Sequence, residues 1–199
     1  MIFRNLNEEQ ISAVKEEGNV MICACPGSGK TRVLTRRIAY EIDEKVNNQK
    51  QYICALTYTN RAADEIKSRI DKLNINTKQL WAGTIHTFCL EWIMRPNAGL
   101  INELKHGFTI VDEYYSTELM NSIKKDLGIK SYVNIPTRFI RNDYAFCGDE
   151  TCMEALNIFY DTLLSERKVS FDLILKYAYQ IISTYPLVAK SLSNIFKVI

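Results

Sequence analysis

The chain has 199 residues, 47% of them apolar and 24% charged, a globular composition with room for one domain or two small ones. It excludes a disordered tail, a collagenous repeat and a disulfide miniprotein. Net charge is +2, with 14 Lys/Arg against 11 Asp/Glu over 1–99 and 11 against 12 over 100–199, so bulk charge alone does not announce a nucleic-acid binder.

No apolar run approaches the roughly 20 residues that span a bilayer, and the polar stretch 1–10 lacks the apolar centre of a signal peptide. Six cysteines (Cys23, Cys25, Cys54, Cys89, Cys147 and Cys152) form no C-x-x-C pair, and three lie in apolar runs. The expectation is buried free thiols in a reducing cytoplasm, and no membrane partner.

In chain order, Asn7 is placed to cap a helix running to about Glu17, and 19–24 (NVMICA) reads as a buried strand. After a Gly-rich turn, Val33, Leu34, Arg37, Ile38 and Ile42 recur at helical spacing. Strands follow at 52–57 (YICALT) and 80–85, with helices at 61–73 and 86–94, the last stopped by Pro96. Strand–helix alternation with fully apolar strands implies a parallel sheet covered on both faces. Beyond Asn97 the rhythm changes. Apart from a short run at 108–111, the segment 112–194 is helical in pattern. One helix covers 112–127, closed by Gly128; a second covers 149–167; a third covers 171–184, opened by Ser170. Phe196 to Ile199 reads as the start of a further strand. The fold class is α/β, a parallel sheet followed by a mainly helical insertion.

Residues 24–31 read Ala-Cys-Pro-Gly-Ser-Gly-Lys-Thr between an expected strand and an expected helix. This is the Walker A form with Ala24 in place of its first glycine. Each part has a physical task. Gly27 and Gly29 permit backbone angles that turn successive N–H groups toward an anion, and the helix beginning there adds its positive end. Lys30 can reach outer phosphates, and the Thr31 hydroxyl suits Mg²⁺. The motif specifies a nucleoside triphosphate and leaves open what is done with it.

Flanking strings narrow the choice. Leu6-Asn7-Glu8-Glu9-Gln10 precedes the first strand, and Gln10 has two readings. Its amide can contact adenine bidentately, or it can close a capping box with Asn7. Downstream, Thr57-Tyr58-Thr59-Asn60-Arg61-Ala62-Ala63 ends the second strand, and Gly83-Thr84-Ile85-His86-Thr87-Phe88 ends the third. Tyr58 offers a face for base stacking, while Thr57, Thr59, Asn60, Thr84 and His86 can donate hydrogen bonds to phosphate. Both strings lie at carboxyl ends of parallel strands, where open α/β sheets bind ligands. On chemistry alone Tyr58 is equally a core tyrosine, and Asn60 and His86 equally cap or surface residues.

Taken together, L-N-E-E-Q, A-C-P-G-S-G-K-T, T-Y-T-N-R-A-A and G-T-I-H-T-F, in that order, resemble the UvrD/Rep/PcrA family of superfamily 1 DNA helicases. An initial Ala in the phosphate loop is normal in that family, whereas Tyr58 and Arg61 replace its usual Phe and Lys. The resemblance implies a P-loop NTPase fold of the RecA-like type. It implies that Gln10 reads adenine and that Ala24, Cys25, Pro26, Gly27, Ser28, Gly29, Lys30, Thr31 and Arg32 bind ATP with Mg²⁺, Lys30 and Thr31 being catalytic. It further implies that Thr57, Tyr58, Thr59, Asn60, Thr84 and His86 bind single-stranded DNA.

An ATPase of this kind also needs an acidic pair at a strand end. Phe108-Thr109-Ile110-Val111-Asp112-Glu113 has that look. In the family, however, a similar string opens the helical insertion, and Tyr115 and Ser116 stand where Gln-Asp is expected. Asp112 is instead assigned to a helix start. Asp172 also reads as a helix-start acid. The string at 196–199 resembles the opening of the Walker B strand, cut off before its acidic pair.

The resemblance therefore divides the chain into the first RecA-like domain (1–98), a helical insertion (99–185) and a return to the first domain (186–199). It implies the ATP-binding and single-stranded-DNA-binding part of an ATP-dependent 3′–5′ DNA helicase or translocase, acting with further domains of the same parent chain and itself inactive in hydrolysis. Three other readings stay open: part of a RecB-like helicase-nuclease, a non-catalytic, nucleotide-gated DNA-binding module, and an unrelated P-loop kinase or transferase.

Overall fold

The computed structural model describes residues 2–44, 51–137, 139–140, 143–144 and 150–198. They fall into two compact units, Met1–Ile85 with Lys190–Ile199, and His86–Ala189. Of the residues singled out above, Cys147, Asp149 and Ile199 lie outside the described ones.

The first unit opens with α1 (Glu8–Lys15), whose start is a complete capping box. The Asn7 side chain accepts from the Gln10 backbone N–H at 2.8 Å, and the Gln10 side chain accepts from the Asn7 N–H at 3.2 Å. Two orphan donors are satisfied reciprocally. α2 (Lys30–Glu44) presents Val33, Ile38, Ala39 and Ile42 as its buried stripe. β1 (Tyr52–Thr57) leads to α3 (Asn60–Asp71), capped by the Thr59 hydroxyl, which accepts from the Ala62 N–H. β2 (Leu80–Thr84) follows.

β1 and β2 pair in parallel with Ile53 opposite Leu80 and Thr57 opposite Thr84. A third parallel strand, Phe196–Val198, lies on the other side of β1. Ile38 and Ile42 of α2, Ile66 and Ile70 of α3, and Ile53, Ala55 and Ala82 of the sheet form one apolar core. The stripes of α2 and α3 thus lie on the strand face that carries Ile53 and Ala55, an α/β packing of parallel strands and helices.

The expected strand at 19–24 is not one. The segment joins no sheet among the described residues and is largely open to solvent, with Met21 86% exposed. An apolar run becomes a buried strand only when a neighbour satisfies its N–H and C=O groups, and among the described residues no strand pairs with this one.

In the second unit, α4 (Ile85–Phe88) runs through a π-helical turn (Cys89–Met94) into α5 (Arg95–Asn97). Pro96 therefore does not stop the helix as expected. It sits at the start of the resumed α segment, where a missing N–H costs little. The run at 108–111 becomes β3 (Thr109–Ile110), and α6 (Glu113–Asp126) follows. The Asp112 carboxylate caps α6, accepting from the Tyr115 N–H at 2.8 Å. Gly128, at φ +67°, closes it: its N–H donates to Lys125 O while the Ile129 N–H reaches Lys124 O, a Schellman ending.

A short hairpin of β4 (Phe139–Ile140) and β5 (Asp143–Tyr144) precedes α7 (Glu150–Ser165). β6 (Lys168–Val169) pairs in parallel with β3. α8 (Phe171–Thr184) is capped by Ser170, as the sequence predicts. Cys152, Ala155, Leu156, Phe159, Tyr160 and Leu163 line the buried stripe of α7, while Leu173, Ile174, Tyr177, Ala178 and Ile181 line that of α8. Each fully buried large side chain contributes roughly 1.5–3 kcal/mol, against about 1 kcal/mol for a cap. Packing holds this unit; the caps set where its helices begin. α9 (Pro186–Ile195) and β7, the Phe196–Val198 strand, complete the chain. No helix among the described residues is long and apolar enough to cross a membrane.

Candidate nucleotide and nucleic-acid site

The 24–31 loop turns on two glycines. Gly27 at φ +81° and Gly29 at φ +93° occupy the left-handed region that a side chain disfavours. The Ser28 N–H closes the turn onto Cys25 O at 3.2 Å, and Val33 N–H to Gly29 O at 3.0 Å is the first bond of α2. The N–H groups of Lys30, Thr31 and Arg32 have no intrahelical acceptor and face out of the helix start. Lys30 Nζ donates to Ala24 O at 2.6 Å and Cys25 O at 2.8 Å, folding its ammonium back over the loop. Ala24, Cys25, Pro26, Gly27, Ser28, Lys30, Thr31 and Arg32 are all exposed.

Gln10 sits against this loop. Its Nε2 donates to Ser28 O at 3.1 Å while its Oε1 serves the capping box. Both readings of the sequence thus meet in one side chain, because one N–H and one lone pair of the amide remain for a ligand. Gly29 is favoured by its left-handed backbone angle, and a Cβ there would lie 3.1 Å from Gln10 Nε2, close enough to push the amide by a few tenths of an ångström. Gln10, Cys23, Ala24, Ser28 and Lys30 line an open cavity of about 270 Å³ with Asn7 at its rim.

Arg37 is the residue whose positioning role sequence reasoning missed. Its guanidinium donates to Ala13 O at 3.1 Å and Gly18 O at 3.2 Å and lies 3.9 Å from the buried Glu41 carboxylate. Arg32 adds a longer bond of 3.4 Å to Asn5 O. These bonds strap α1, and with it Gln10, beside the loop. The signal was present: an arginine interrupting the apolar stripe of α2.

At the strand ends, Tyr58 is 96% exposed and Asn60 opens α3. Thr59 spends its hydroxyl oxygen on the α3 cap. Thr57 is half-buried, and its hydroxyl donates to Thr59 O at 2.9 Å and Gly83 O at 3.3 Å. Thr84 is half-buried opposite Thr57 in the ladder. Gly83 is required by its neighbour, since a Cβ there would meet the Trp81 ring at 2.7 Å. His86 belongs to the second unit, where its ring meets the Phe171 ring edge-on at 5.6 Å.

Asp112 is engaged as the α6 cap, and Asp172 Oδ2 accepts from the Thr137 hydroxyl at 2.7 Å. Among the described residues no three His, Cys, Asp or Glu side chains cluster to hold a metal. None of the five described cysteines is assigned to a disulfide. Cys54, Cys89 and Cys152 are buried as expected, but Cys23 and Cys25 are exposed because they sit on the unpaired segment and the loop. Burial pushes the Cys54 thiol up to about 12 and the Cys89 thiol up to about 11.

Residues 6–151 match the family described as the UvrD/REP helicase N-terminal domain. The chain is a member of that family. UvrD/REP membership brings the P-loop NTPase fold, of which this chain displays the strand-end turns, the phosphate loop and small parallel sheets. Among relatives, the protein named ATP-dependent DNA helicase PcrA from Staphylococcus epidermidis is 40% identical over 141 residues, covering 70% of this chain and 19% of the relative. The Staphylococcus aureus protein of the same name is 39% identical over the same span and shares. The match thus spans about one fifth of the length of these helicases.

Proposed function

We propose that this chain is the ATP-binding and single-stranded-DNA-binding part of an ATP-dependent 3′–5′ DNA helicase, with a first RecA-like domain at 1–98 and 186–199 and a helical insertion at 99–185. The observation carrying the reading is the pairing of β1 with β2, which ends the T-Y-T-N and G-T strings side by side, Thr57 opposite Thr84, with Tyr58 fully outward beside them. An aromatic face next to neutral hydrogen-bonding groups suits a single strand, whose bases stack and whose phosphates accept.

The loop fits a nucleoside triphosphate. Its left-handed glycines, outward helix-start N–H groups and lysine match a phosphate chain, and the remaining amide groups of Gln10 match adenine. Bound ATP and Mg²⁺ supply the phosphoryl group and the cation that offsets its charge. Lys30 exchanges its loop carbonyls for phosphate oxygens, Gly27 to Thr31 orient the phosphates through backbone N–H groups, and Thr31 offers the cation one oxygen. Tyr58, Thr59, Asn60, Thr84 and His86 are the DNA-facing set. No acidic pair ends β1 or β2, which supports slow hydrolysis by these 199 residues.

The test is separability. With a fluorescent ATP analogue and a labelled oligo-dT, Lys30→Ala weakens nucleotide binding about tenfold or more and leaves DNA affinity within twofold. Tyr58→Ala does the reverse, losing about fivefold or more in DNA affinity, the scale of one base–aromatic stack. ATP turnover stays near background with or without DNA. DNA-stimulated turnover would overturn the slow-hydrolysis proposal. Equal DNA affinity of wild type and Tyr58→Ala would sink the assignment of the DNA site.

A further inference from the structure

The geometry points to Thr57 as a positioning residue for the single-strand site rather than a contact with the strand, a refinement that rests on the DNA-binding reading above. A threonine hydroxyl has one proton, and here it is shared between the carbonyls of Thr59 at 2.9 Å and Gly83 at 3.3 Å. No proton is left to donate to a phosphate oxygen. The two acceptors identify what the bond does instead.

Thr59 O lies two residues on, so the first arm bridges across Tyr58 and fixes the turn that carries it. Gly83 O belongs to β2, so the second arm ties that turn to the neighbouring strand end. On the far side of Tyr58, the Thr59 hydroxyl locks the start of α3 through the Ala62 N–H at 3.2 Å. Tyr58 is therefore clamped by side-chain bonds on both flanks, yet its own ring is 96% exposed and packs on nothing that would hold it. An exposed aromatic usually loses rotamer and backbone freedom when a base stacks on it. Here the clamp orders the backbone beforehand, leaving less freedom to be lost on binding. Thr57, half-buried with its hydroxyl turned inward, acts on DNA only through Tyr58.

The test uses the full chain and the isosteric Thr57→Val, with Thr57→Ser as the variant that restores the hydroxyl. Oligo-dT affinity falls about fivefold in Thr57→Val, the scale of one lost hydrogen bond, and returns to within twofold in Thr57→Ser. In a Tyr58→Ala background, Thr57→Val has no further effect. If it costs the same fivefold there, Thr57 touches the strand directly and the assignment is overturned. A DNA-free measurement separates this from the functional reading: 3-fluorotyrosine placed at position 58 and followed by fluorine NMR. One narrow line in wild type and Thr57→Ser, broadened or split in Thr57→Val, supports the clamp even if no DNA binds. An unchanged line in Thr57→Val overturns it even if DNA does.

Discussion

Four of the five described thiols divide by position into two chemistries. Cys23 and Cys25 lie open on the phosphate-loop approach, while Cys54 and Cys89 lie in packed surroundings that disfavour the thiolate. At pH 8, a chromogenic disulfide reagent titrates Cys23 and Cys25 at once and reaches Cys54 and Cys89 only as the chain unfolds. The buried pair also sets a pH dependence. Their folded values of about 12 and about 11 lie above the ordinary 9.0. Below pH 9 both thiols are protonated in the folded and unfolded states, and their contribution is fully present. Above pH 9 the unfolded chain releases protons that the folded chain retains, so stability falls by up to about 1 kcal/mol per pH unit for each thiol. Urea midpoints measured from pH 8 to pH 11 decline more steeply in the wild type than in Cys54→Ala/Cys89→Ala.

Helix termini were the most legible elements, because a cap is written within four residues. The box of Asn7 and Gln10, the Ser170 cap and the Gly128 ending all stand where side-chain chemistry puts them. Asp112 is the informative case, since an apolar run ending in Asp-Glu reads equally as a metal site. Its carboxylate is engaged with the Tyr115 N–H. Asp112→Ala therefore costs about 1 kcal/mol in chemical denaturation, and Asp112→Asn, an equally good cap, costs almost nothing. Neither changes the Mg²⁺-dependent affinity for a nucleotide analogue. Loss of that affinity in Asp112→Asn would return Asp112 to the metal. The segment 19–24 was less legible for the opposite reason. Its hydrophobicity is local, but a strand is a property of two segments, and the partner cannot be read from NVMICA. Likewise, T-Y-T-N reads as three equal donors, Thr57, Thr59 and Asn60, around a stacking Tyr58. Only the ladder, which brings Gly83 O beside Thr57, reveals that one of them faces inward.

Across the whole molecule, charge is nearly balanced, 25 basic against 23 acidic residues. The set proposed to face DNA contains no Lys or Arg, so on that proposal few counterions leave when a strand binds. A plot of log affinity for oligo-dT against log salt accordingly has a slope of magnitude about 2 or less, against about 0.7 per phosphate neutralised by a Lys or Arg. A steep slope would place the grip on a basic face elsewhere. The phosphate loop is readable from residue types and spacing, and the family from the resemblance that its four motif strings carry. The strap by Arg37 shows in the sequence only as an arginine interrupting an apolar stripe, because the two carbonyls it ties are brought to it by the fold.

The unpaired segment 19–24 bears on handling the protein. It joins no sheet among the described residues and leaves Val20 and Met21 open to solvent, while β7 is an edge strand beside β1 among the described residues. Bare edges of this kind template pairing with whatever extended chain they meet. At high concentration the most available such chain is another copy, so association through these edges is the expected route to aggregation. Met21→Lys, which places a charge on the bare segment without touching the phosphate loop, delays the onset of light scattering.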